Sequence, residues 1–283
     1  MKKVCAYCGS EGPLTREHIM PKSILDKANE SSKEVFNELT NRYVEKMGKI
    51  ILAELTIGDV CGTCNNGSLS VLDRYGSSLY DKSFSAPIKK GQSTTFQYDY
   101  HLLLRWLLKL SYNSARVSNE GNADVLSQFK QYILGLEDAP RDMYLYVLPV
   151  TSYKFSAAES EKMHKHMQEL GEIPPVFLRI SEWVLKNFPF AIKPIRMVAL
   201  NSYYFFIFCP QVDIPGHSAA SLQRGLRKKM TDTYQGIVKL KPKEKITWLP
   251  PPRYNVVDMY SDTINWDKIS QAITAMPTQK TRI

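Results

Sequence analysis

The chain has 283 residues, 43% hydrophobic and 11% aromatic, enough for a packed core and unlike a globally disordered chain. No apolar run approaches the length of a membrane span, and Met1-Lys2-Lys3-Val4-Cys5 lacks the apolar segment of a signal peptide, so a soluble, cytoplasmic protein without a membrane partner is expected. The formal net charge of +9 is uneven, because residues 1–84 hold eleven Lys and Arg against eleven Asp and Glu, which leaves the whole excess on residues 85–283. A neutral front beside a basic back suggests a polyanion gripped mainly by the second part. The alternative is a basic surface that only keeps the chain soluble.

Residues 1–84 read as a compact metal-stapled unit. Cys5-x2-Cys8 and Cys61-x2-Cys64 are two knuckles that together can hold one tetrahedral Zn²⁺ by four thiolates. Such a closed site has no open position, so its metal is structural. Cysteines paired this way fit metal thiolates in a reducing compartment better than disulfides. Leu14 to Met20 reads as a strand stopped by Pro21, and residues 22–49 as a helical or irregular insertion. Lys49 to Ile57 reads as a second strand. The second knuckle then opens a helix, with Leu69, Leu72, Tyr75 or Gly76, Leu79 and Tyr80 at helical spacing.

Ser83 to Gln97, rich in turn residues, reads as a domain boundary. His101 to Val117 is an amphipathic helix, with Leu103, Leu107, Leu110 and Ser114 on one side and Arg105, Lys109, Asn113 and Arg116 on the other. Asn122 to Leu136 reads as a further helix, Met143 to Pro149 and Arg196 to Pro210 as strands, and Ser156 to Leu170 and Ser218 to Thr233 as helices. Cys209 sits in an apolar stretch and reads as a core thiol. After Pro250-Pro251-Pro252 no pattern returns until a terminal helix at Trp266 to Met276. The expected fold class is α+β: a zinc-stapled module over residues 1–84, then a mixed α+β domain over residues 85–283.

The chemistry lies between the knuckles. Glu17 and His18 are adjacent, so on a regular strand they point to opposite faces, and both reach one ion only if the chain bends there. Asn65 follows the last cysteine and sits in the first turn of the anchored helix. A carboxylate and an amide oxygen form a hard, incomplete shell suited to Mg²⁺ or Mn²⁺. His18, neutral near pH 7, can take a proton from an attacking water. Read singly, Glu17-His18 is a surface pair, and Asn65 is a helix cap or first-turn residue satisfying backbone N–H groups.

Cys5-x2-Cys8, Arg16-Glu17-His18-Ile19-x-Pro21-Lys22 and Cys61-x2-Cys64-Asn65-Asn66 together resemble the four-cysteine, zinc-bearing branch of the HNH (ββα-metal) endonucleases. The resemblance covers roughly residues 1–80. It implies a ββα-metal module, with Glu17 and Asn65 as ligands of a catalytic Mg²⁺ or Mn²⁺ and His18 as general base. It also implies DNA hydrolysis to 5′-phosphate and 3′-hydroxyl ends, in a setting such as bacterial or phage genome defence. The chain departs from the pattern in three ways. Ser68 and Leu69 stand where many members carry a further helix ligand. The middle Asn or His of the motif has only Asn37 and Asn41 as candidates. The stretch from His18 to Cys61 is longer than in minimal members, and Asn66 replaces Asn65 if the helix register differs.

Lys22 reads either as a phosphate contact or as solvated. So do Arg224, Arg227, Lys228 and Lys229, which with Lys239, Lys241, Lys243 and Lys245 make the densest basic stretch. Arg105, Lys109 and Arg116 carry the same two readings. Tyr203 to Phe208 reads as a hydrophobic strand pair or as a base-stacking surface. Two function classes follow. One is an HNH endonuclease acting on DNA, with RNA as the alternative substrate. The other is a non-catalytic zinc-stapled nucleic-acid-binding protein. A protein partner or a homo-oligomer is compatible with either.

Overall fold

The computed structural model describes residues 3–36, 43–44, 49–50, 56–117, 122–161, 169, 171–175, 178–183 and 195–260. The expected helix at Trp266 to Met276, the candidates Asn37 and Asn41 and most of the expected strand from Lys49 lie outside them. The fold is mixed α and β. Among the described residues no helix is long and apolar enough to cross a membrane.

Strand β1 (Leu14–His18) ends before Pro21, whose carbonyl accepts from Ile24 and Leu25 N–H as helix α1 (Lys22–Phe36) begins. The antiparallel partner of β1 is β2 (Thr56–Cys61), later in the chain than the apolar run from Lys49 suggested. The knuckles explain the choice. Ala6 N–H donates to Asp59 O at 2.8 Å and Cys61 N–H to Cys5 Sγ at 3.3 Å, so this strand must lie against the first knuckle. The register slips between Thr15 and Glu17, where a step of two on β1 faces the step from Val60 to Ile57 on β2. The extra residue is a bulge around Gly58 and Asp59, which twists the pair locally.

From Gly62 to Phe84 the chain is helical apart from a kink at Gly67, whose φ of −91° and ψ of −112° are non-helical. Helix α2 (Ser70–Leu79) lies between π-helical turns at Asn65–Leu69 and Tyr80–Phe84. Its buried face carries Leu69, Leu72, Gly76, Leu79, Tyr80 and Phe84, close to the spacing the sequence predicts. The boundary stretch contains a strand, β3 (Thr94–Gln97). Helix α3 (Tyr100–Val117) follows and is buried nearly all round. The expected helix from Asn122 is two short ones, Ala123–Ser127 and Lys130–Leu134, the second ended by left-handed Gly135. Of the expected helix from Ser156, the described part is Ala157–Ser160, closed by a Ser156–Glu159 capping box.

The back half is built on β4 (Tyr144–Thr151), β5 (Leu178–Trp183), β6 (Ile195–Leu200), β7 (Tyr203–Phe208) and β8 (Val238–Lys239), antiparallel in the order β8-β4-β7-β6-β5. Every residue of β6 and β7 is buried. Alternate side chains serve two cores, which is why both strands read as unbroken apolar runs. Leu145, Val147, Val198, Leu200, Phe205 and Ile207 face a core shared with α2 and α3. Tyr146, Leu148, Met197, Tyr204 and Phe206 face Leu226 and Met230 of helix α4 (Ala219–Thr233), which Ser218 caps. The aromatic run of β7 is therefore core, and so is Cys209.

The first core runs without a break from Cys5 and Tyr7 to Leu249, so both sides of residue 84 share it. The β6–β7 turn fastens the two halves. Asn201, left-handed at φ 53°, donates from Nδ2 to Tyr80 Oη at 3.0 Å and Phe84 O at 2.9 Å. An Asn tolerates that conformation where most residues do not. Helices α2 and α3 pack closely at Gly76, where an added Cβ would lie 2.1 Å from Trp106 Cε2. Gly76→Ala is therefore expected to lower stability by about 1–3 kcal/mol, the usual cost of overpacking a core. Urea unfolding measures it, and an unchanged midpoint would mean that α2 and α3 do not pack this closely.

A candidate active site beside a four-cysteine cluster

The Sγ atoms of Cys5, Cys8, Cys61 and Cys64 all lie within 4.8 Å of one another, and Cys8 and Cys61 are 3.7 Å apart. Four sulfurs bound to zinc at about 2.3 Å stand roughly 3.8 Å from each other, so the cluster has the size of a tetrathiolate site. The cysteines can hold a zinc ion. Local structure prepares them for it. Gly9, at φ 76°, turns the first knuckle, and its N–H donates to Cys5 O at 3.0 Å. Contacts with the Ser10 hydroxyl and backbone hold the Cys8 thiol down at about 6, while burial pushes the Cys64 thiol up. A buried thiol of this kind ionises readily only beside a cation.

One turn beyond the cluster, Glu17, His18 and Asn65 line a single open cleft of about 680 Å³. Its other wall is the polar side of the helical segment, including Asn66, Ser70, Asp73, Arg74 and Ser77. Asn65 stands at the corner. Its Nδ2 donates to Thr15 Oγ1 and to Arg16 O, both at 2.9 Å. Arg16 O can only accept, which fixes the orientation of the amide and leaves Oδ1 as the atom for a ligand. Asn65 thus pins β1 beside the bulge in β2, and adjacent Glu17 and His18 both reach the same cleft.

Helix α3 grips this strand pair from behind. Lys109 Nζ is fully buried and donates to both Asp73 carboxylate oxygens, at 2.6 and 2.5 Å. It also forms an ion pair with Glu17 Oε1, which is itself buried. One turn on, Asn113 Nδ2 donates to His18 O at 3.3 Å, while its Oδ1 accepts from Tyr7 Oη at 2.7 Å. Arg116 then clamps Asp59 at the bulge at 2.6 and 2.7 Å and lies over the Tyr112 ring. Of Arg105, Lys109 and Arg116, read from sequence as solvated or as touching nucleic acid, Lys109 and Arg116 therefore hold the front unit together with Asn113, while Arg105 donates from Nε to Ile133 O at 3.0 Å.

Burial raises the Glu17 carboxyl above its usual range, and Lys109 offsets part of that rise. Glu17 Oε1 is paired with the Lys109 ammonium, and the Glu17 and Asp73 carboxylates with the Asn65 amide oxygen are hard oxygen donors of the kind Mg²⁺ or Mn²⁺ takes.

The structure brings Glu17, His18, Asn65 and Lys22 to one cleft, with Arg74 and Lys82 also lining it. Lys22 is exposed and lies 3.9 Å from Asp26. Arg224, Arg227, Lys228 and Lys229 are not among the lining residues. They lie on α4, which packs on the opposite sheet face, and Arg227 sits over the Tyr144 ring at 4.6 Å. Sequence reasoning missed Asp73 and misread Lys109. Asn66, Ser70, Asp73 and Ser77 form a polar stripe at helical spacing, and Lys109 interrupts Trp106-Leu-Leu-Lys-Leu110. A lysine inside an apolar run demands buried carboxylates.

Purified protein should carry about one zinc per chain, and Cys8→Ser should lower both zinc content and melting temperature; metal analysis and thermal unfolding check this. Lys109→Met should cost roughly 3–5 kcal/mol, because it strands a buried carboxylate, and Glu17→Gln in the same chain should restore part of the loss. Denaturant unfolding of the single and double variants gives the answer. Comparisons of the chain with known protein families, with curated proteins and with solved structures found no match.

Proposed function

We propose that the chain is a divalent-metal-dependent endonuclease of the HNH type that hydrolyses DNA phosphodiester bonds in this cleft. The observation that carries the reading is convergence. Glu17 and His18, neighbours on a strand, line one cleft together with Asn65 and Asp73. In this reading Glu17, Asp73 and Asn65 Oδ1 hold the ion. A divalent ion bound there supplies charge stabilisation for the phosphate and the leaving oxygen.

The remaining steps belong to the chain's own residues. The His18 imidazole takes a proton from water as the water oxygen bonds to phosphorus. The bond from phosphorus to the 3′ oxygen breaks, and that oxygen takes a proton from solvent at the open mouth. Lys22, Arg74 and Lys82 supply positive charge for the DNA backbone. Lys109 holds the Glu17 and Asp73 carboxylates close together. The zinc cluster holds the helix start that carries Asn65.

A second reading is favoured by one observation: Lys109 engages both carboxylates, so the trio can serve as a structural ion pair alone. The protein would then be a zinc-stapled nucleic-acid-binding protein without catalysis. Supercoiled plasmid, linear DNA and structured RNA incubated with zinc-loaded protein, with and without Mg²⁺ or Mn²⁺, separate the readings. Metal-dependent nicking is expected, lowered at least about 100-fold by His18→Ala with zinc content and fold unchanged. Binding without nicking under either metal would establish the second reading, and cleavage of RNA alone would change the substrate class.

A further inference from the structure

Strand β9 (Ile246–Leu249) pairs antiparallel with β3 as a separate two-stranded ribbon. Thr247 and Leu249 point into the core, while Ile246 and Trp248 point out, each 56% exposed. Across the ribbon their partners are Gln97 and Thr95, also exposed. A Trp this exposed is unusual, since indole is the largest apolar side chain. Nothing in the proposed cleavage chemistry uses it.

Cations stand at both ends of the ribbon. Lys241, Lys243 and Lys245 lead into β9, and Lys89 and Lys90 occupy an exposed turn leading into β3. Glu244 is the only carboxylate in residues 86–97 and 241–253, and it is paired with Lys241 at 2.6 Å. The ribbon is braced on the cleft-bearing helix. Tyr98 Oη accepts from Lys241 N–H at 3.2 Å, and Tyr75 Oη accepts from Asp99 N–H at 2.8 Å.

We propose that this ribbon binds single-stranded nucleic acid, with an unpaired base stacked on the Trp248 ring and backbone phosphates on the flanking lysines. A π-face framed by cations is the chemistry of a base-stacking platform. A duplex hides its base faces, so stacking on Trp248 selects unpaired strands. A protein partner fits less well. Two apolar side chains are far from the roughly 800 Å² per partner of a standard interface, whose core is depleted in lysine. The site reaches beyond the cleavage reading and does not depend on it.

The test is fluorescence anisotropy with a labelled oligo(dT) and zinc-loaded protein in buffer without Mg²⁺ or Mn²⁺, where metal-dependent cleavage is absent, so the result is independent of catalysis. Wild-type chain is expected to bind oligo(dT) more tightly than a duplex of equal length. Trp248→Ala should weaken oligo(dT) binding about 10-fold and leave duplex binding unchanged, with zinc content and circular dichroism intact. Lys243→Glu with Lys245→Glu should flatten the slope of log affinity against log salt by roughly 1.4, two single-strand phosphate contacts. Equal oligo(dT) affinity of Trp248→Ala and wild type would overturn the proposal. So would an effect of Trp248→Ala confined to self-association in sedimentation, which would make the ribbon a contact between copies.

Discussion

Lys109 Nζ lies buried between Glu17 and Asp73 and pairs with both, which offsets part of the rise that burial gives the Glu17 carboxyl. The ammonium does more than cancel charge. It comes from α3, in the middle of the core, while Glu17 comes from β1 and Asp73 from α2. One side chain thereby sets the distance between the strand pair and the helix that face each other across the cleft. Removing water from three charged groups is costly, and their mutual attraction offsets this only because the geometry is close. Such an arrangement is retained for position more readily than for stability.

The rest of α3 extends that control. Asn113 holds the carbonyl of His18, and Arg116 holds Asp59 at the bulge. These groups recur every three or four residues and form one stripe. A strand pair of five and six residues is marginal alone. Here it is fixed on one side by the cysteine cluster and on the other by a buried helix. The sheet of β4 to β8 backs that helix and reaches the front unit again through Asn201. Front and back thus form one framework, and the cleft sits where their polar groups meet.

The cysteine spacing and the order of Glu17, His18 and Asn65 were legible because they are local. So were the α2 face, β1, α4 and the apolar runs of β6 and β7, where a single periodicity dominates. The partner of β1 was misplaced, because Lys49 to Ile57 is the more apolar run, while contacts with the first knuckle select Thr56 to Cys61. The stripe of α3 was misread for a related reason. Charge on a helix normally faces water, and only tertiary contacts reveal that Lys109 faces two carboxylates instead. Asp73 was overlooked because its stripe with Asn66, Ser70 and Ser77 reads as an ordinary solvated helix face. Its role exists only once Lys109 and Glu17 are brought beside it from distant parts of the chain.

The central claim is that the carboxylates held by Lys109 are also the seat of a divalent ion next to His18. Diffraction from crystals soaked in Mn²⁺, recorded at the manganese edge, locates that ion directly. The account predicts an anomalous peak in the cleft within bonding distance of Glu17 and Asp73, distinct from the zinc at the four cysteines. A cleft without manganese, its two carboxylates still closed on Lys109, would contradict it.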